Sequence, residues 1–153
     1  MTLRERISSD LKAAMKTGDK IRLETLRTLR AALVEKEIEK RGSQSQGITA
    51  DDEIATLINA AKKRRESIGQ FAKGGRPELA EQEARELSII QEYLPKQLST
   101  DEISRVIEDV VRESGMGAAT DFGKVMPAVM RQLKGKADGQ MIQELVKKRL
   151  GLA

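Results

Sequence analysis

The chain contains no cysteine and no histidine. The first absence removes disulfides, thiolate metal ligands and a thiol nucleophile together, and it fits a reducing compartment. The second removes an imidazole base, a Ser-His-Asp triad and any Cys/His zinc site, so chemistry would have to rest on carboxylates, lysines or hydroxyls. Aromatic residues are scarce as well, with no Trp, one Tyr and two Phe among 153 residues. Burial must therefore come from Leu, Ile, Val, Met and Ala, which together with a charged fraction of 34% is a helical protein's composition. No apolar run approaches the ~18–20 residues a membrane span needs, and MTLRERISSDLK has charges where a signal peptide carries its apolar core. A cytoplasmic chain without membrane contact is the expectation. The net charge of +4, from 28 basic and 24 acidic residues, is too mild to argue for a nucleic-acid partner by itself.

What is present is helical periodicity throughout, with no run of strict alternation that would indicate a strand. Thr2 and Glu5 form a capping box, Leu3, Ile7, Leu11 and Met15 supply one apolar face, and Thr17-Gly18-Asp19 ends this helix and caps the next. A long second helix is predicted from Asp19 to about Arg41, with a stripe of Leu23, Leu26, Leu29, Leu33, Val34 and Ile38. GSQSQG, Gly42 to Gly47, follows as a polar loop. Thr49 caps a third helix with the face Ile54, Leu57, Ile58, Ala61, Ile68 and Ala72, which ends at Gly74-Gly75. Pro77 suits the first turn of a fourth helix carrying Leu79, Leu87 and Ile90, and Pro95 stops it. Because Ser99 and Glu102 open a fresh capping box, the domain boundary is placed at Pro95–Ser99. Beyond it three shorter faces follow: Ile103, Val106, Ile107, Val110 and Val111; Phe122, Val125, Met126, Val129 and Leu133; and Met141, Ile142, Leu145, Val146 and Leu150. Pro127 falls inside the middle helix, where it removes a hydrogen bond and should bend the axis. The expected fold is all-α. Residues 1–95 form an N-terminal domain of about four helices in long hairpins, and residues 96–153 a compact three-helix domain.

Two charged features stand out. On a helical wheel Arg65 falls inside the stripe of the third helix, and Glu83 and Glu86 inside that of the fourth. An antiparallel hairpin turning at Gly74-Gly75 sets them opposite one another, as a structural ion pair or, alternatively, as a catalytic carboxylate tuned by arginine. KKRR, Lys62 to Arg65, resembles a nucleic-acid patch only on paper, because four consecutive helical residues point in four directions. The second feature is a division of charge. Asp101 to Asp121 holds two basic and six acidic residues, a balance of −4, whereas Lys124 to Arg149 holds seven basic and two acidic, a balance of +5. KGKADG, Lys134 to Gly139, lies within the basic stretch. It reads as a helix C-cap at Gly135 followed by an N-cap at Asp138, or as a turn that grips phosphates at the start of the last helix. It is not a Walker loop, since the GxxxxGK[ST] spacing and the preceding strand are missing.

RRESIGQFAKGGRPELAEQEARELSIIQEYLPKQLS, Arg64 to Ser99, together with GKVMPAVMRQLKGKADGQMIQELVKKRL, Gly123 to Leu150, closely resembles the YqeY-like family. The C-terminal half is similar to the tail domain of the B subunit of the glutamine-dependent aspartyl/glutamyl-tRNA amidotransferase. Pro127 departs from the family, which tends to have a small residue such as glycine there. The resemblance implies an all-α protein in two parts and carries the label of a carbon–nitrogen ligase with glutamine as amido-N-donor. It also implies a tail that contacts tRNA rather than doing chemistry.

The residues argue against autonomous catalysis: there is no phosphate-binding motif, no metal-ligand cluster and no serine nucleophile beside a base. No catalytic residue, cofactor or metal site is expected. The leading expectation is an accessory protein that binds tRNA or another structured RNA, with Lys124, Arg131, Lys134, Lys136, Lys147 and Lys148 on phosphates and Gly135 and Gly139 allowing close backbone approach. With few aromatics to stack on bases, recognition would be by shape and charge. One alternative is a subunit in amide transfer that depends on partner proteins of the amidotransferase or aminoacyl-tRNA machinery. A third is a protein-interaction module acting through the N-terminal helices.

Overall fold

The computed structural model describes residues 1–43 and 47–152. Seven α-helices and no strand occur among them, and the chain divides into two compact units, Met1–Leu94 and Pro95–Ala153. The first unit contains α1 (Leu3–Thr17), α2 (Lys20–Ser43), α3 (Ala50–Lys73) and α4 (Pro77–Gln91). The second contains α5 (Thr100–Ser114), a 3-10 turn (Ala119–Asp121), α6 (Phe122–Leu133) and α7 (Gly139–Arg149). Of the loop expected over Gly42–Gly47, residues 44–46 lie outside the described residues, and Gly42 and Ser43 belong to α2.

Local chemistry starts and stops these helices. Thr2 with Glu5, Thr49 with Asp52 and Ser99 with Glu102 each close a reciprocal capping box, and each cap is worth roughly 1 kcal/mol. Asp52 accepts from both the backbone N–H and the hydroxyl of Thr49 and lies 3.3 Å from the Lys40 ammonium. The Thr49 bonds come first in holding its pKa down, to about 2. Gly18 ends α1 at a φ of 74°, a backbone position that a Cβ would strain. Pro77 occupies the first turn of α4, and α6 continues through the exposed Pro127.

In the first unit the α1–α2 and α3–α4 hairpins bury Ile7, Leu11, Leu26, Leu29, Leu33, Leu57, Ala61, Ile90 and Tyr93 in one core. Tyr93 donates its hydroxyl to Asp10, and burial is the main reason its pKa rises. Glu53, which no sequence pattern singles out, is buried and accepts the backbone N–H of Arg4 at 2.9 Å. It therefore serves the first turns of both α1 and α3, where positive dipole ends favour a carboxylate. The core of the second unit is Ile103, Ile107, Val110, Val111, Val125, Val129, Leu133, Ile142, Val146 and Leu150, with Ala137.

Some residues expected in apolar stripes lie outside the cores. Met15, Val34 and Ile38 are 58%, 45% and 65% exposed, Met141 is exposed at 37%, and Ala72 is exposed. For α2 the reason is the face they occupy: the core takes Leu26, Leu29 and Leu33, and Val34 and Ile38 lie about 100° and 140° round the helix from Leu33. α1 still runs alongside, since Arg4 in its first turn pairs with Glu37 at 3.0 Å.

Candidate nucleic-acid interface

The KGKADG turn is built from the end of α6 and the start of α7. α6 ends at Leu133; Lys134 follows at φ −55° and ψ 124°, and Gly135 takes φ 77°. The Lys136 N–H donates to the Leu133 carbonyl at 2.9 Å. These angles and this bond make a type II β-turn, which requires positive φ at its third position and so favours glycine there. The expected capping is corrected in two respects. Gly135 sits one residue beyond the cap and belongs to a β-turn, and Asp138, although at the N-cap position of α7, makes no side-chain cap bond. Its backbone carbonyl begins the helix by accepting from Ile142 at 3.1 Å.

A second segment holds the turn in place. The Gln97 side-chain amide donates to the Gly135 carbonyl at 2.9 Å and to the Pro95 carbonyl at 2.8 Å, and the Leu98 N–H donates to the Lys136 carbonyl at 2.9 Å. The strap Pro95–Ser99 thus satisfies two carbonyls of the turn, and a third, on Leu133, is used within it. A turn tied at three carbonyls presents its side chains from a fixed backbone.

The eight residues expected to meet RNA fall into two sets. Arg131, Lys134, Gly135, Lys136 and Gly139 cluster around the turn, with Arg131, Lys134 and Lys136 exposed. Lys124, Lys147 and Lys148 are at the opposite end of the α6–α7 hairpin, where the Lys147 ammonium lies 5.9 Å from the centre of the Phe122 ring at the start of α6. The two ends are on the order of 15 Å apart along α6. The basic segment is also partly neutralised, because Arg149 pairs with Glu108 of α5 at 2.6 Å and holds that carboxylate's pKa down. The +5 balance of the linear sequence is thereby divided into separate clusters.

The charged contact expected at Arg65 is made instead by Arg64. Its Nε lies 3.0 Å from Glu86 and 3.5 Å from Glu83, whereas Arg65 is exposed. The hairpin register is as expected; the arginine is not. Arg64 follows Leu57, Ala60 and Ala61 on the buried side of α3 and precedes Ile68 and Phe71. Counting Ala72 in the stripe, in place of Ala60 and Phe71, rotates the expected face by one residue. Burial first, and then the charge of Glu86, raise the pKa of Glu83 against the opposing pull of Arg64. Among the described residues no group of three or more carboxylates is placed to hold a metal ion, and no helix is long and apolar enough to cross a membrane.

A family model described as Yqey-like protein matches residues 4–150. Altered inheritance of mitochondria protein 41, mitochondrial, of Kluyveromyces lactis is 29% identical over 136 residues, covering 86% of this chain and 67% of that protein. The E subunit of glutamyl-tRNA(Gln) amidotransferase of Methanococcus maripaludis (strain C7) is 32% identical over 133 residues, 80% of this chain but 20% of that protein. Its counterpart in Thermococcus sibiricus is 42% identical over 60 residues, 35% of this chain and 9% of that protein. The Methanococcus alignment is longer than the second unit, so that similarity extends into the first. The Kluyveromyces relative is described as mitochondrial, so the similarity lends the cytoplasmic expectation no support.

Proposed function

Because the chain belongs to the Yqey-like protein family, we propose that it is a non-catalytic accessory protein that binds tRNA or another structured RNA through its C-terminal unit. The observation that carries this reading is the strapped β-turn, which holds the exposed Arg131, Lys134 and Lys136 together on a fixed backbone. The similarity to a tRNA amidotransferase polypeptide gives the reading its substrate class. Lys124, Lys147 and Lys148 form a second contact at the far end of the hairpin. Contacts at two ends suit an RNA backbone recognised by shape better than a single bound phosphate.

The test is tRNA binding over a salt series. We expect affinity to fall steeply with salt, and Lys134→Glu with Lys136→Glu to weaken binding and reduce the salt slope by about one per lost phosphate contact. Lys147→Glu with Lys148→Glu should act additively. No binding at low salt, or equal binding by both double variants, removes the RNA reading. The similarity to the amidotransferase also favours a second reading, a component that supports amide transfer with partner chains. Amide formation on misacylated tRNA, with glutamine and ATP, that appears only when this chain joins its partners would establish it.

A further inference from the structure

The α1–α2 hairpin leaves an apolar groove of about 870 Å³ outside the core of its unit. Leu11 and Met15, one turn apart on α1, form one wall, and Ala31, Val34 and Ile38, spaced by three and four residues on α2, form the other. Met15, Val34 and Ile38 are about half exposed, so the aliphatic strip is open to solvent. Single exposed aliphatics need no explanation, but three converging on one groove with a buried leucine beneath them make a surface that favours an apolar occupant. From Arg27 to Ile38 the groove follows α2 for roughly 16 Å, the length of a three-turn helix.

The rim identifies the occupant's charge. Lys12 stands on the α1 side and Arg27 and Arg30 on the α2 side, against the single acid Glu35. Arg27 shares its charge with Glu24 in an exposed ion pair, while Lys12 and Arg30 are exposed cations beside the strip. We propose that this groove is a docking site for an acidic amphipathic α-helix of a partner protein. The helix would lay its apolar ridge on Leu11, Met15, Val34 and Ile38 and set its flanking carboxylates against Lys12 and Arg30. RNA is a poor match for an aliphatic floor with no aromatic ring to stack on. A second copy docked by a two-fold axis would bring the same cations face to face. The two acidic helices of this chain, α4 and α5, each with a balance of −3, already spend their apolar faces on their own cores. The proposal is independent of the RNA reading, which concerns the other unit.

The experiment selects, on the full chain, from a display library of amphipathic helices about fourteen residues long, four turns, with a fixed Leu/Ile ridge and flanks randomised among Glu, Lys and Gln. Binders are then measured by fluorescence anisotropy at low salt. We expect acidic flanks to dominate. Ile38→Glu should weaken these peptides at least tenfold, and so should Lys12→Glu with Arg30→Glu, the latter reversing the preference toward Lys-flanked peptides. Ile38, Lys12 and Arg30 are exposed, and thermal melts matching wild type establish that the variants fold. The proposal is overturned by selection of no binder, by basic or uncharged flanks, or by undiminished binding to Ile38→Glu. A wild-type dimer that Ile38→Glu dissolves would assign the groove to a second copy. Phosphatidylglycerol vesicles that bind wild type but not Ile38→Glu would assign it to a lipid surface; either result overturns the helix proposal.

Discussion

Arg64 faces two carboxylates with one guanidinium, and Nε, the atom nearest both, is buried without a directed hydrogen bond. With 17% of its side chain exposed, the contact lies between a surface ion pair and a buried one, so Arg64→Ala should destabilise by roughly 1–3 kcal/mol. Arg65→Ala should melt close to wild type, and urea denaturation of the two variants distinguishes the neighbours. Glu83 adds a pH dependence. Its folded pKa is raised above the ordinary 4.5, so the folded state holds the proton more tightly than the unfolded chain does. Its favourable contribution is full below 4.5 and is lost as pH rises through that value toward the raised one. Glu83→Gln should therefore lose this part of the pH dependence, leaving a denaturation midpoint that changes less than wild type's as pH rises above 4.5. Asp52 has the opposite sign: its contribution is present above 3.8 and is lost as pH falls toward about 2, so the two windows separate. The register of the carboxylates was legible because Gly74-Gly75 marks the hairpin's bend. Which of two adjacent arginines faces them was not, because 100° per residue turns one alanine wrongly counted into the wrong side chain.

At the scale of elements, the capping boxes were legible because they act over three residues, and a short-range hydrogen bond leaves a short-range pattern. The β-turn at KGKADG was only half legible. Glycine at position 135 announced a positive φ, but a helix cap and a type II turn both ask for one. The strap was not legible, because Gln97 and Gly135 are separated by 38 positions and nothing in either neighbourhood names the other. Its importance can be measured. Gly135→Ala should destabilise the second unit by about 1–2 kcal/mol through left-handed backbone strain. Gln97→Ala should remove a hydrogen bond to the turn at about 0.5–1.5 kcal/mol. If the turn presents the RNA-binding lysines, both variants should also weaken tRNA binding with no change of charge, measured well below their melting temperatures.

For the whole molecule, each unit has a core drawn from its own residues, from Ile7 to Tyr93 in one and from Ile103 to Leu150 in the other. Residues 1–94 and 95–153 expressed separately should therefore each give helical circular dichroism and a cooperative thermal transition. A fragment without a cooperative transition would mean that its own core does not suffice. The first fragment should retain the groove and its helix binding, and the second the RNA binding, so the two proposed activities can be assayed apart.

The sequence by itself determined the all-α class, the helix starts and the apolar residues available for two cores, because periodicity and capping are properties of neighbouring residues. Only the tertiary structure decided which apolar residues those cores would use. Val34 and Ile38 have the same spacing as buried leucines, and they stay exposed because they lie on a side of α2 turned away from Leu26, Leu29 and Leu33, the residues its packing carries into the core. Tertiary packing likewise divided a +5 stretch into two clusters, by folding α7 back along α6 and pairing Arg149 with Glu108. A linear charge count is blind to such pairings because electrostatic interaction depends on distance in space.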